Sequence, residues 1–207
     1  MKPTLLHRFL SRTQSNRKFI FSVPYLMLIF VLLLQGTFWT HGIHHLIESL
    51  GVMLIVFCVL GRTWVSTYIM GSKQHVLVTR GPYSICRNPL YFFSILGGAG
   101  VGALSGSVTA MFVVGLVTAA LFSVLIFVEE QTLARIHGVD FYEYVARVPR
   151  LFPSPSLYED AENGSLQLSG VYRTFLDSCW FLAAIPIAET VEILKHHKLL
   201  PTLISLP

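Results

Sequence analysis

Between Arg87 and Glu129 the chain carries no charged residue. A membrane-crossing helix needs only about 20 apolar residues, so this run is too long for one span. Leu104-Ser105-Gly106-Ser107 breaks it with turn-forming residues. The pattern predicts two helices, about 89–104 and 108–128. The first opens with Pro89, at a position where a missing N–H costs nothing. Two more apolar runs precede them. Phe19 to Trp39 is free of charge, and Ile43 to Gly61 carries Glu48 near its outer end and Arg62 at its inner end. Composition agrees: 53% of residues are hydrophobic and 13% charged, about half the charge fraction of a soluble domain. The expected fold class is therefore an all-α integral membrane protein with four to five transmembrane helices.

Charge placement sets an expected orientation. Lys2, Arg8, Arg12, Arg17 and Lys18 all precede the first acid, Glu48. A basic flank before an apolar run places the N-terminus in the cytoplasm. The run at 19–34 exceeds a signal-peptide core and no small-residue cleavage site follows, so it reads as a retained anchor. Spans one and two return the chain to the cytoplasm at 62–87, where Lys73, Arg80 and Arg87 occur without an acid. Spans three and four return it again at Glu129. Both polar segments are thus expected on the cytoplasmic face, in a multi-pass protein of a bacterial inner membrane.

Beyond the fourth span, Glu129 to His137 reads as helix closed by Gly138. Asp140 with Glu143 reads as a capping box opening a short helix, Phe141 to Arg147, which Pro149 and Pro153 end. Residues 154–170 read as a loop. From Val171 on, Asp177, Pro186 and Glu189 interrupt the apolar character, which favours an interfacial or packing helix over a fifth span. The expected organisation is a basic cytoplasmic N-terminus (1–18), a transmembrane core (19–153), and a loop with a C-terminal helical extension (154–207).

Cys58, Cys86 and Cys179 are too far apart for a metal-ligand pattern and odd in number; they read as small hydrophobes. His41, His44 and His45 cluster after the first run, with no acidic ligand spaced to complete a metal site. They read as a solvated interfacial turn, and no metal residue is assigned. Basic residues sit at membrane boundaries, which argues against nucleic-acid binding.

Two polar clusters stand where apolar helices end. The first runs from His75 through Arg80, Gly81, Pro82, Tyr83, Arg87, Asn88 and Pro89 to Tyr91. The N–H groups at the start of the third helix suit an anion there. The second is Glu129-Glu130 with Arg147 and Arg150. Carboxylates at a membrane helix end are costly unless they meet a cation or water. Together the clusters can grip a zwitterionic amino acid, its ammonium on a glutamate and its carboxylate on arginine or helix N–H groups. Leu77 and Val78 could cover an attached adenine. The same residues also suit a second reading, in which Arg87 and Arg150 bind lipid phosphates and pair with the glutamates.

In order and spacing, residues 75–153 resemble the signature of the isoprenylcysteine carboxyl methyltransferase family and its relatives, the phospholipid N-methyltransferases. The carrying residues are His75, Leu77, Val78, Gly81, Pro82, Tyr83, Arg87, Pro89 and Tyr91, then Glu129, Glu130, Gly138, Tyr144, Val148, Pro149 and Arg150. Asn88 stands where most members of the family have histidine, His137 replaces a phenylalanine and Phe141 a tyrosine. Asparagine keeps a donor and an acceptor but cannot move a proton at neutral pH.

The resemblance implies an S-adenosylmethionine-dependent methyltransferase with a cytoplasmic cofactor pocket. Its acceptor would be lipid-like or prenylated and reach the site from the bilayer, among membrane lipids as partners. Cofactor binding is then expected at His75, Leu77, Val78, Gly81, Tyr83, Asn88, Pro89, Tyr91, Glu129 and Glu130. Arg150, Arg87 and Glu130 would lie by the chemistry, with Arg147 a weaker candidate one turn back. Tyr83, Tyr91 and Tyr144 could equally be interface aromatics. A carboxylate acceptor needs no base, whereas an amine must lose a proton, for which Glu129, Glu130 or His75 would serve. The loss of histidine at position 88 favours the acceptor that needs no base. A phospholipid amine, a small thiol or another lipid carboxylate remains open as acceptor, and so does a non-enzymatic lipid-binding or transport protein, although no repeated halves are visible.

Overall fold

In the computed structural model, residues 36–37, 41–69, 77–160, 168–200 and 205–206 are described. The first expected span, apart from Gly36–Thr37, the basic N-terminus and His75 lie outside them. The elements are β1 (Gly36–Thr37), α1 (His41–Ile69), α2 (Pro82–Ile85), α3 (Pro89–Ala103), α4 (Val108–His137), α5 (Val139–Arg147), α6 (Leu168–His196) and β2 (Ser205–Leu206). A single 3-10 turn, Pro155–Leu157, follows α5. At the end of the first apolar run Gly36–Thr37 is extended and pairs in parallel with Ser205–Leu206.

Among the described residues, three helices are long and apolar enough to cross a membrane, within Gly42–Ile69, Val108–His137 and Gly170–His196, while Pro89–Ala103 is a shorter apolar helix. α3 packs against α1 on one side and α4 on the other, and α6 lies along α1. Small residues make this possible. A Cβ on Gly51 would come within 2.8 Å of the Gly100 carbonyl oxygen, and one on Gly100 equally close to that of Gly51. Gly97 faces Cys58 and Phe181, and Gly98 faces Thr118. Without a hydrophobic drive between helices in lipid, such close backbone approach supplies the packing. Leu46, Met53, Phe57 and Leu60 of α1, Phe112, Leu116 and Phe127 of α4, and Trp180 and Ile187 of α6 remain exposed, as lipid-facing side chains should.

Hydroxyls within the helices turn back onto their own backbone, as lipid requires. Thr63 donates to Val59 O at 2.7 Å, Thr118 to Val114 O at 2.6 Å and Ser178 to Thr174 O at 2.7 Å. Ser107 caps α4 by accepting from the Ala110 N–H, and Gly138, at φ 55°, ends it.

Three expectations are corrected. α1 does not stop at Gly61 but continues to Ile69, so Arg62 lies within the helix. Its guanidinium donates to Ser94 on α3 and, at 2.8 Å, to Ser178 on α6, partners no local pattern could announce. Asp140 does not cap α5; Gly138 occupies that position and makes no side-chain cap. The C-terminal segment is a 29-residue helix, which packs on α1 as expected but is also long and apolar enough to span.

Candidate functional site: an arginine–glutamate network

The site forms where α3 begins and α4 leaves its apolar stretch. Segments 81–88 and 149–159 lie side by side, tied by Arg87 N–H to Pro149 O at 2.9 Å, Ser154 N–H to Ile85 O at 2.9 Å and Gly81 N–H to Glu159 O at 2.7 Å. The Cys86 thiol donates to Leu151 O at 3.0 Å, and burial pushes its pKa up to about 11. The Tyr144 hydroxyl donates to Tyr83 O at 2.7 Å, fastening α5 beneath α2. This scaffold fixes the backbone from which the charged side chains project.

Glu130 is the centre. Its Oε1 lies 3.3 Å from Arg87 Nη1 and its Oε2 3.0 Å from Arg150 Nη2. Asn88 Nδ2 donates to Glu130 Oε1 at 3.2 Å and to Arg150 O at 2.9 Å. The Asn88 side chain therefore leaves α3 uncapped and serves the network instead, as a donor only. Arg87 and Glu130 are mostly enclosed, their side chains 12% and 16% exposed, whereas Arg150 reaches outward at 45%. Arg87 Nε is buried with no hydrogen-bond partner among the described residues. Beside the network, Tyr91 donates to Glu129 Oε2 at 2.8 Å. Glu129 is exposed and keeps acceptor capacity that Glu130 has already committed.

Of the expected site residues, Arg87, Asn88, Glu130 and Arg150 are thus brought into one network, with Glu129 and Tyr91 alongside. Others serve the fold. Tyr83 is buried with Val65 and Phe93, against which Val78 packs, and burial drives its phenol far above the ordinary tyrosine range. Leu77 packs on the Phe141–Tyr144–Val148 cluster. Gly81, at φ 63°, makes a turn against the Tyr68 ring, where no side chain would fit. Pro89 is a buried first residue of α3. Arg147 is exposed and makes no ion pair among the described residues. Arg62 lies deeper than a membrane-boundary cation would, bonded to Ser94 and Ser178; a cation inside an apolar helix is the sequence signal for such a position.

The fold and this site define a helical integral membrane protein with a partly enclosed network of charged side chains at one end of its bundle. The chain belongs to the phospholipid methyltransferase family, whose sequence model matches residues 39–140 and to which the isoprenylcysteine carboxyl methyltransferases are related. It is similar to the nickel-cobalt-cadmium resistance protein NccN of Alcaligenes xylosoxydans xylosoxydans, 32% identical over 99% of this chain and 95% of that protein. It is also similar to the cobalt-zinc-cadmium resistance protein CzcN of Cupriavidus metallidurans, 34% identical over 78% of this chain and 74% of that one. No solved structure matches.

Proposed function

We propose that the chain is an S-adenosylmethionine-dependent methyltransferase acting on a lipophilic acceptor that enters from the bilayer, the acceptor group being a carboxylate. The observation that carries this reading is the convergence of Arg87, Asn88, Arg150 and Glu130 into one network, which includes a buried donor, Arg87 Nε, with no partner among the described residues. That donor and the N–H groups opening α3 suit the carboxylate of an amino acid. Exposed Glu129 suits its ammonium. S-adenosylmethionine has both groups and, when bound, supplies an electrophilic methyl on a sulfonium.

The chain's own contribution is orientation and charge. Glu130 holds two guanidiniums apart at set positions, so neither collapses onto solvent. Arg150, the more exposed of the two, suits an acceptor carboxylate arriving from the bilayer. Such positioning can supply several kcal/mol of the barrier. α3 is 15 residues long, roughly 22 Å, against a hydrocarbon core of about 30 Å. A helix that short does not reach both faces of the bilayer, which suits access of a lipid-borne group to one of its ends. The proposed orientation puts the network on the cytoplasmic side of a bacterial inner membrane.

Calorimetry of S-adenosylmethionine and S-adenosylhomocysteine with detergent-purified protein tests the cofactor. Binding of both, lost in Arg87→Ala and weakened in Glu129→Gln, is the expected result; none at millimolar ligand, from folded protein, overturns it. Labelled methyl transferred into membrane extracts as a base-labile ester identifies a carboxylate acceptor, and base-stable label an amine. The similarity to proteins named for nickel, cobalt, zinc and cadmium resistance favours one physiological reading, that this methyl transfer serves resistance to divalent metals. Deleting the gene in its host and measuring growth on cobalt or cadmium tests it.

A further inference from the structure

The opposite end of the bundle holds a second cluster that methyl transfer does not use. α1 and α6 run antiparallel, since Arg62 meets Ser178 near one end and His44 meets Glu192 near the other. The expected solvated turn at His41–His45 is instead the first turn of α1, so His44 and Glu48, four residues apart, share one face. Glu192 arrives from α6. His44 Nε2 lies 3.2 Å from Glu192 Oε1, and ligand atoms of His44, Glu48 and Glu192 all lie within 4.8 Å of one another.

We propose that His44, Glu48 and Glu192 form a divalent-cation site, independent of the methyl-transfer reading. Metal bonds of about 2.0–2.2 Å at tetrahedral angles set ligand atoms roughly 3.3–3.5 Å apart. The His44–Glu192 separation of 3.2 Å lies just under that range, and a rotation of Glu48 would complete the set. The ring of His44 is held by Gly106, whose positive φ and missing side chain leave room for it; a Cβ there would strike the Nδ1 edge, so Nε2 is the atom presented to Glu192. His45 Nδ1 sits 3.2 Å from Glu48 Oε2, an outer partner that orients the ligating carboxylate. One imidazole and two carboxylates match the charge of a dication. Nitrogen with oxygen donors selects a borderline ion, Zn²⁺ or Co²⁺, over Mg²⁺ or Ca²⁺. Three protein ligands leave a position open for water or for exchange of the ion. His196 and His197, exposed at the end of α6, stand on the same side of the bundle.

The test is titration of the full chain, purified without a polyhistidine tag and stripped with chelator, with Co²⁺ read by its visible absorption and then displaced by Zn²⁺. One equivalent should bind, and the metal should raise the unfolding temperature. His44→Ala should abolish the cobalt spectrum. Glu192→Gln, which keeps shape and spares folding, should weaken binding at least about tenfold and remove the thermal shift. Glu143→Gln, a distant exposed carboxylate, should leave the affinity unchanged. No cobalt spectrum from folded wild-type protein, or an affinity equal in wild type and Glu192→Gln, would falsify the site and reduce the cluster to an ion pair joining α1 to α6.

Discussion

The two ends of the helix bundle are both polar, but they are assembled in opposite ways. At the α3 entrance, Arg87 and Asn88 are adjacent, and Glu130 and Arg150 come from two further segments that a local signature already links. At the other end, His44 and Glu48 need Glu192 from a helix whose sequence gives no hint of where it packs. The first end invests its charges in one another, two guanidiniums on one carboxylate. The second gathers two carboxylates around one imidazole, with Lys195 also near Glu192. An end rich in cationic donors suits anionic groups, and an end rich in anionic acceptors suits a cation.

The sharpest way to break this contrast is Glu130→Ala. It leaves Arg87, which is mostly enclosed, and the more exposed Arg150 without their shared carboxylate, so methyl transfer should fall at least about a hundredfold. Losing one partner of such a pair should also cost about 3 kcal/mol, seen as a lower unfolding temperature in detergent. Unchanged transfer would show that the network is scaffold rather than site.

Gly51→Ala acts on both ends together, because the added Cβ meets the Gly100 carbonyl oxygen at 2.8 Å and must push α1 from α3. A stability loss of about 1–3 kcal/mol is expected, with both cofactor and cobalt affinity reduced. An effect on one end alone would mean that the ends are not coupled through this contact.

Asn88→Ala removes the donor shared by Glu130 and the Arg150 carbonyl. An unsatisfied acceptor of this kind costs about 1–3 kcal/mol, so transfer should drop roughly tenfold with the fold intact. Asn88→His restores a donor, and recovery of rate by it would show that the position needs a hydrogen bond and not an amide.

The smallest effect concerns Cys86. Burial raises its thiol to about 11, so it stays protonated at neutral pH and the thiolate appears only as pH climbs toward that value. Maleimide labelling at pH 7 should spare Cys86 in folded protein and reach it after denaturation; rapid labelling of the folded state would mean that the 86–151 contact opens.

Where expectation failed, it failed for a common reason. Gly138 ends α4 as expected, because a positive φ is a local property of the backbone. Asp140 resembled a cap only because its spacing to Glu143 is local too, while the chain had already turned at Gly138. Arg62 marked a membrane boundary by charge alone, yet Ser94 and Ser178 satisfy it from two other helices. Tyr83 and Gly81 carry the family pattern but spend themselves on packing and a turn.

The sequence by itself determined that the chain is helical and membrane-embedded, because uninterrupted apolar runs cannot be dissolved any other way. It also determined which residues of 75–153 belong to the methyltransferase signature, since their order and spacing lie along the chain. Only the tertiary structure decided that Glu130 is committed between two arginines and Glu129 is left open. It alone carried α6 against α1 and brought Glu192 to His44. Pairing across helices depends on which small residues permit close approach and where each helix ends, and those are properties of the packed bundle, not of any stretch of sequence.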